Sequence, residues 1–88
     1  MRIILSPQAE KQLKKIPKID QIAVAEKIRK MRDEMAVKEF EKLKGFANIF
    51  RVRVGNYRIV FRKTSGEIYI ILIRHRKDVY RLLGQLLH

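Results

Sequence analysis

Residues 49–62 read IFRVRVGNYRIVFR, and this stretch constrains the fold more than any other part of the chain. Apolar and basic residues alternate on both sides of Gly55-Asn56, a dipeptide suited to closing a two-residue hairpin. Such a loop sets Val54 opposite Tyr57, Arg53 opposite Arg58, Val52 opposite Ile59 and Arg51 opposite Val60. Successive side chains on a strand point to opposite faces, so the register sorts them. Phe50, Val52, Val54, Tyr57, Ile59 and Phe61 fall on one face, which must be the core. Arg51, Arg53, Arg58 and Arg62 fall on the other.

The rest of the sequence supplies cover for that core. RIIL (2–5) is a candidate strand. Ser6 follows as a helix N-cap and Pro7 as the first helical residue. Ala9, Leu13 and Ile16 recur at helical spacing until Pro17 ends the segment. A second helix is expected from about Ile19 to about Met35, with Val24, Ile28, Met31 and Met35 on one face. The short Pro17-Lys18 link predicts an antiparallel helical hairpin. FEKLKGF (40–46) reads as a connector anchored by Phe40, Leu43 and Phe46. KTSGE (63–67) is a second turn, and IYIILI (68–73) is apolar on both faces, as a central strand should be. Asp78 caps a short last helix with Val79, Leu82, Leu83 and Leu86 on one face. The expected fold is a single α+β domain over residues 1–88. It has an N-terminal strand, a helical hairpin on one face of a small antiparallel sheet, and a short C-terminal helix.

Charge narrows the function. Net charge is +12 in 88 residues, an excess that points to a polyanionic partner. Its distribution is uneven. Residues 1–44 hold nine lysines, three arginines and seven acids, net +5. Residues 45–88 hold seven arginines, two lysines and two acids, net +7. Arginine's planar fork grips phosphate in two places with a permanent charge. Arg53 and Arg58 face each other across the hairpin, which costs several tenths of a kcal/mol. A phosphate would turn that repulsion into charge-assisted hydrogen bonds. The chain has no cysteine, which removes disulfides and thiolate metal sites. His75 and His88 stand apart, so neither a metal nor a cofactor is expected. No apolar run reaches the ~18 residues of a membrane span, and the expected location is the cytoplasm.

The third strand complicates the arginine face. Pairing residue 62 with 69 across Ser65-Gly66 puts Tyr69, Ile71, Ile73 and His75 beside the arginines and turns Arg74 toward the core. A bulge at Gly66 or a twist at the strand end would reverse that.

LKGFANIFRVRVGNYRIVF (43–61) followed by IRHRKDVY (73–80) resembles the RelE/ParE superfamily of toxins from toxin–antitoxin systems, and most closely its RelE-like branch. The resemblance covers nearly the whole chain. It implies a ribosome-dependent mRNA endonuclease that enters the ribosomal A site and inhibits translation. In that chemistry a ribose 2′-hydroxyl attacks the adjacent phosphodiester, without a metal. The implied partners are a cognate RelB-like antitoxin, the ribosome and mRNA, with operator DNA reached only through the antitoxin complex. By position, Arg51, Arg53, Arg58, Arg74 and Tyr80 match the family's catalytic set. Arg62, His75, Arg76 and Arg81 are the further residues expected to contact RNA. Arg53 stands where well-known members carry a lysine discussed as a base, and arginine is no useful base. His75 is then a candidate proton carrier, because an ordinary imidazole titrates near neutrality. It is equally suited to bonding backbone at a strand end. Two other functions fit the sequence: a ParE-like DNA gyrase inhibitor, and a non-catalytic basic module binding RNA or DNA.

Overall fold

The structure, a computed structural model, describes residues 2–32 and 40–77. Strand β1 (Arg2–Leu5) leads into helices α1 (Pro7–Lys15) and α2 (Lys18–Lys30). Strands β2 (Glu41–Lys42), β3 (Ile49–Val54), β4 (Tyr57–Lys63) and β5 (Glu67–His75) follow. They form one five-stranded sheet in the order β1-β5-β4-β3-β2. The α+β expectation holds. Met35 and the proposed last helix from Asp78 to Leu86 lie outside the described residues.

The helix start is the one its sequence encodes. Ser6 Oγ accepts the Ala9 N–H at 2.9 Å, and Pro7 occupies the first turn, where no amide hydrogen is needed. α1 packs on β5, and α2 packs on α1 and β3. Together they bury Ala9, Val24, Ile28 and Met31 against Val52, Ile59, Phe61, Ile68, Ile70 and Ile73. Phe61 is the largest buried side chain among the described residues and is fixed by two rings. Phe40 meets it edge-on with centroids 4.7 Å apart, and Phe50 stacks at 5.8 Å. Burying such a side chain contributes about 1.5–3 kcal/mol.

The hairpin register is the one read from the sequence, from Val54↔Tyr57 through Arg53↔Arg58 to Arg51↔Val60. Gly55 takes φ +58°, a left-handed conformation that suits glycine at the turn. Besides the register of the third strand, three features depart from expectation. β1 runs parallel to β5, the exception in an otherwise antiparallel sheet. The connector at 40–46 contains β2, which pairs Glu41 with Arg51 and Lys42 with Phe50. The arginine face also carries a small second core, in which Leu43, Ile49, Val60 and Leu72 are buried with Phe46 and Ile71 packed against them.

The third-strand register is corrected by a bulge. Arg62 pairs with Tyr69 and Phe61 with Ile70, as simple counting gives, but Val60 pairs with Leu72. Ile71 is therefore an extra residue on β5, and every later side chain changes face. The bulge lies mid-strand at Ile71, not at Gly66. Backbone groups beside it are satisfied from α1 and its cap. Ser6 N–H donates to Ile70 O at 2.9 Å, Ser6 Oγ donates to Ile71 O at 2.9 Å, and Gln12 Oε1 accepts the Ile73 N–H at 2.7 Å.

Candidate phosphate-binding site

Beyond the bulge, Arg58 pairs with Arg74 on one side and Arg53 on the other. Three strands thus carry an arginine row, Arg53–Arg58–Arg74, on the face away from the helices. Simple counting had turned Arg74 toward the core; the bulge at Ile71 puts it in the row. The same shift moves His75 to the helical face, where it pairs with Tyr57 and the two rings meet edge-on at 5.8 Å. His75 is therefore not among the arginines, contrary to the expected register.

Arg58 stands at the centre of the row. Its Nη1 donates to Tyr57 O at 3.1 Å and Gly55 O at 3.3 Å, which folds the guanidinium over the hairpin turn. Burial first, and then the charges of Arg53, Arg51 and Arg76, push it below the usual guanidinium range. A cation held down by its neighbours in this way gains when an anion arrives. Arg74 adds a second sign of the same kind: its Nε is buried without a hydrogen-bond partner. Arg76 joins the cluster through its charge on Arg58, while its N–H donates to Asn56 O at 2.9 Å.

Arg51 lies on the same face, two residues along β3 from Arg53, and is engaged by Glu41. Its Nε and Nη2 both donate to Glu41 Oε2, the Nε bond at 3.1 Å. The hydrogen bond and then the charge of Arg51 hold the Glu41 carboxyl below its ordinary value, with Arg58 adding to the effect. Sequence reasoning missed Glu41, because a two-residue strand inside a connector leaves no periodicity to read. The opposite-charge pairing with Arg51 was the available signal. A cleft of about 360 Å³ opens beside this pair, walled by Lys42, Lys44 and Phe46.

Arg62 shares the face but pairs with Ile49 and Tyr69. At about 3.3 Å per residue it lies roughly 13 Å along β4 from Arg58, with Val60 between them, and so outside the row. Tyr80 and Arg81 lie outside the described residues. Among the described residues no group of His, Asp or Glu is placed to hold a metal ion.

A helical pair on a sheet whose other face carries clustered arginines defines a class, the RelE/ParE superfamily of toxins. The profile of the ParE toxin of type II toxin–antitoxin systems (parDE) matches residues 3–80, and the chain belongs to that family. It is 40% identical over 42 residues to toxin RelE3 of Methanocaldococcus jannaschii, a match spanning 48% of each chain, so about half the length of that relative is covered. The RelB–RelE antitoxin–toxin complex of Methanococcus jannaschii superposes with a TM-score of 0.75 at 26% identity, covering 90% of this chain and 96% of the other. A free Escherichia coli RelE mutant superposes at 0.78 with 15% identity, covering 99% and 97%, which speaks for the fold alone.

Proposed function

We propose that the chain is a ribosome-dependent mRNA endonuclease acting in the cytoplasm and restrained by a cognate RelB-like antitoxin. The observation that carries this reading is the Arg53–Arg58–Arg74 row with the Glu41 carboxylate against its border. The row is a phosphate cradle, and Glu41, bonded to Arg51, is a carboxylate at its border.

In this scheme a phosphodiester of the message lies on the row. The 2′-hydroxyl gives its proton to Glu41, and its oxygen attacks the phosphorus. The bond to the 5′-oxygen breaks, leaving a 2′,3′-cyclic phosphate and a 5′-hydroxyl whose proton comes from water. Arg58 and Arg74 stabilise the charge that builds on the phosphate oxygens, a role worth about 10²- to 10³-fold for one well-placed donor. Glu41 ionises readily beside Arg51, so it is ready to accept a proton at neutral pH but is a weak base. The ribosome is then needed to shape the RNA for in-line attack. Arg51 holds Glu41, and Tyr80 is assigned to stacking on a base. The antitoxin assignment is supported by the similarity to RelE in its complex with RelB.

The parDE description of the matching family favours a second reading, a gyrase inhibitor. Purified protein incubated with programmed ribosomes tests both. Site-specific message cleavage lost in Arg58→Ala supports the nuclease. Intact message together with gyrase-linked DNA breaks supports the alternative.

A further inference from the structure

On the helical side of the sheet, a cleft of about 390 Å³ opens between α1 and the end of β5. It lies where β1 has stopped, since β1 pairs with β5 only as far as Leu5↔Ile70. Lys11, Gln12 and Lys15 of α1 face Tyr57, Arg74 and His75 across it. No carboxylate among the described residues lines it.

The polar atoms present are mainly donors. Gln12 uses Oε1 on the Ile73 N–H, and its Nε2 is left buried with no partner although the residue is only 6% exposed. Unpaired buried donors are rare in folded proteins and mark a place for an acceptor. Lys11 and Lys15 stand one turn apart on the same side of α1. Neither has an ion-pair partner among the described residues, whereas nearby Lys14 pairs with Glu10 at 3.9 Å. His75 Nδ1 accepts the Lys77 N–H at 3.3 Å, which leaves Nε2 as the ring's donor. Arg74 belongs both to this lining and to the arginine row, so the cleft and the row meet around the edge of β5.

We propose that this cleft binds one nucleotide of the single-stranded RNA leading away from the arginine row. Lys11, Lys15 and Gln12 Nε2 take its phosphate oxygens, and its base lies against the Tyr57 and His75 rings. This rests on the nuclease reading for the choice of RNA. The aromatic wall is what favours a nucleotide, because an acidic peptide would use the cations and leave the rings idle. The volume is at the small end for a ligand site, right for one nucleotide and too small for a partner helix.

The test uses the full chain and a fluorescent 2′-O-methyl RNA hexamer, which lacks the attacking hydroxyl. Both lysines are exposed, so Lys11→Gln/Lys15→Gln leaves the fold intact. The double variant should bind about tenfold more weakly. Its salt dependence should be flatter by about 0.7, the share of the one phosphate that the two lysines hold. The Gln12 side-chain NH₂ signals should shift on titration in the wild type and also in Arg58→Ala. Wild-type affinity and salt slope in the double variant, or unmoved Gln12 signals at saturation, would overturn the proposal. So would a poly-glutamate peptide that binds as tightly and moves the same signals. If the message stays intact on ribosomes while the lysine and Gln12 effects appear, the nuclease reading fails and the cleft stands.

Discussion

The hydroxyl of Ser6 donates to the carbonyl of Ile71 at 2.9 Å while accepting the Ala9 N–H at 2.9 Å. One side chain therefore caps α1 and anchors the bulge in β5. The bulge in turn sets Arg74 opposite Arg58 and sends His75 to the helical face. The composition of the arginine row depends on contacts made at the other end of the sequence.

Ser6→Ala removes both bonds. The cap contributes about 1 kcal/mol and the bond to Ile71 about 1 more, so a loss of about 2 kcal/mol is expected. A lower urea midpoint with an unchanged slope would record it, and Ser6→Thr should recover most of it. A loss no larger than the cap alone would show that the Ile71 bond contributes nothing.

Gly55 holds φ +58° with open space around it. Gly55→Ala meets no neighbour, so its cost is that of the backbone conformation, about 1–2 kcal/mol. Thermal unfolding should show the loss, and Gly55→Asn should lose less, because asparagine tolerates this conformation. Equal losses for alanine and asparagine would contradict the assignment.

The Glu41–Arg51 pair makes stability depend on pH in one direction. The folded carboxyl titrates below its ordinary value, so the pair's contribution is present above the unfolded value of ~4.3 and disappears as pH falls through the folded one. Glu41→Gln should therefore melt below wild type at pH 7, with the gap closing toward pH 3. Both groups reach solvent, so the gap will be small and will shrink further in salt. A gap that widens on acidification would reverse the assigned sign.

Arg53 faces Arg58 across the hairpin, and Arg53 is exposed. Relieving like charge there should stabilise the fold by several tenths of a kcal/mol. The proposed chemistry should suffer at the same time, by about 10²-fold. Arg53→Gln measured by both denaturation and ribosome cleavage separates the two effects. If stability and cleavage fall together, Arg53 is structural.

The hairpin and the first helix were legible because each is written in turn and cap chemistry: Gly55-Asn56 fixes a register, and Ser6-Pro7 fixes a helix start. The bulge was not legible. IYIILI is apolar throughout because both faces of β5 are covered there. Ile70 and Ile73 pack toward the helices, and Leu72 packs into the second core with Ile71 against it. With no alternation to read, an inserted residue leaves no trace in the sequence. Glu41 escaped notice for a related reason: β2 has two residues, too few to show a period, and only pairing with β3 reveals it. The arginines of the hairpin could be found from alternation. Arg74 was named through the family resemblance, but its place beside Arg58, like the role of Glu41, required the fold.

The most direct test of the account is single-turnover cleavage of message on programmed ribosomes, with 5′ ends mapped for wild type and Arg74→Ala. The account predicts fragments ending in a 5′-hydroxyl for the wild type. For Arg74→Ala it predicts a rate lower by about 10²- to 10³-fold with the fold retained. Cleavage by Arg74→Ala at the wild-type rate, or intact message with folded wild-type protein, would contradict it.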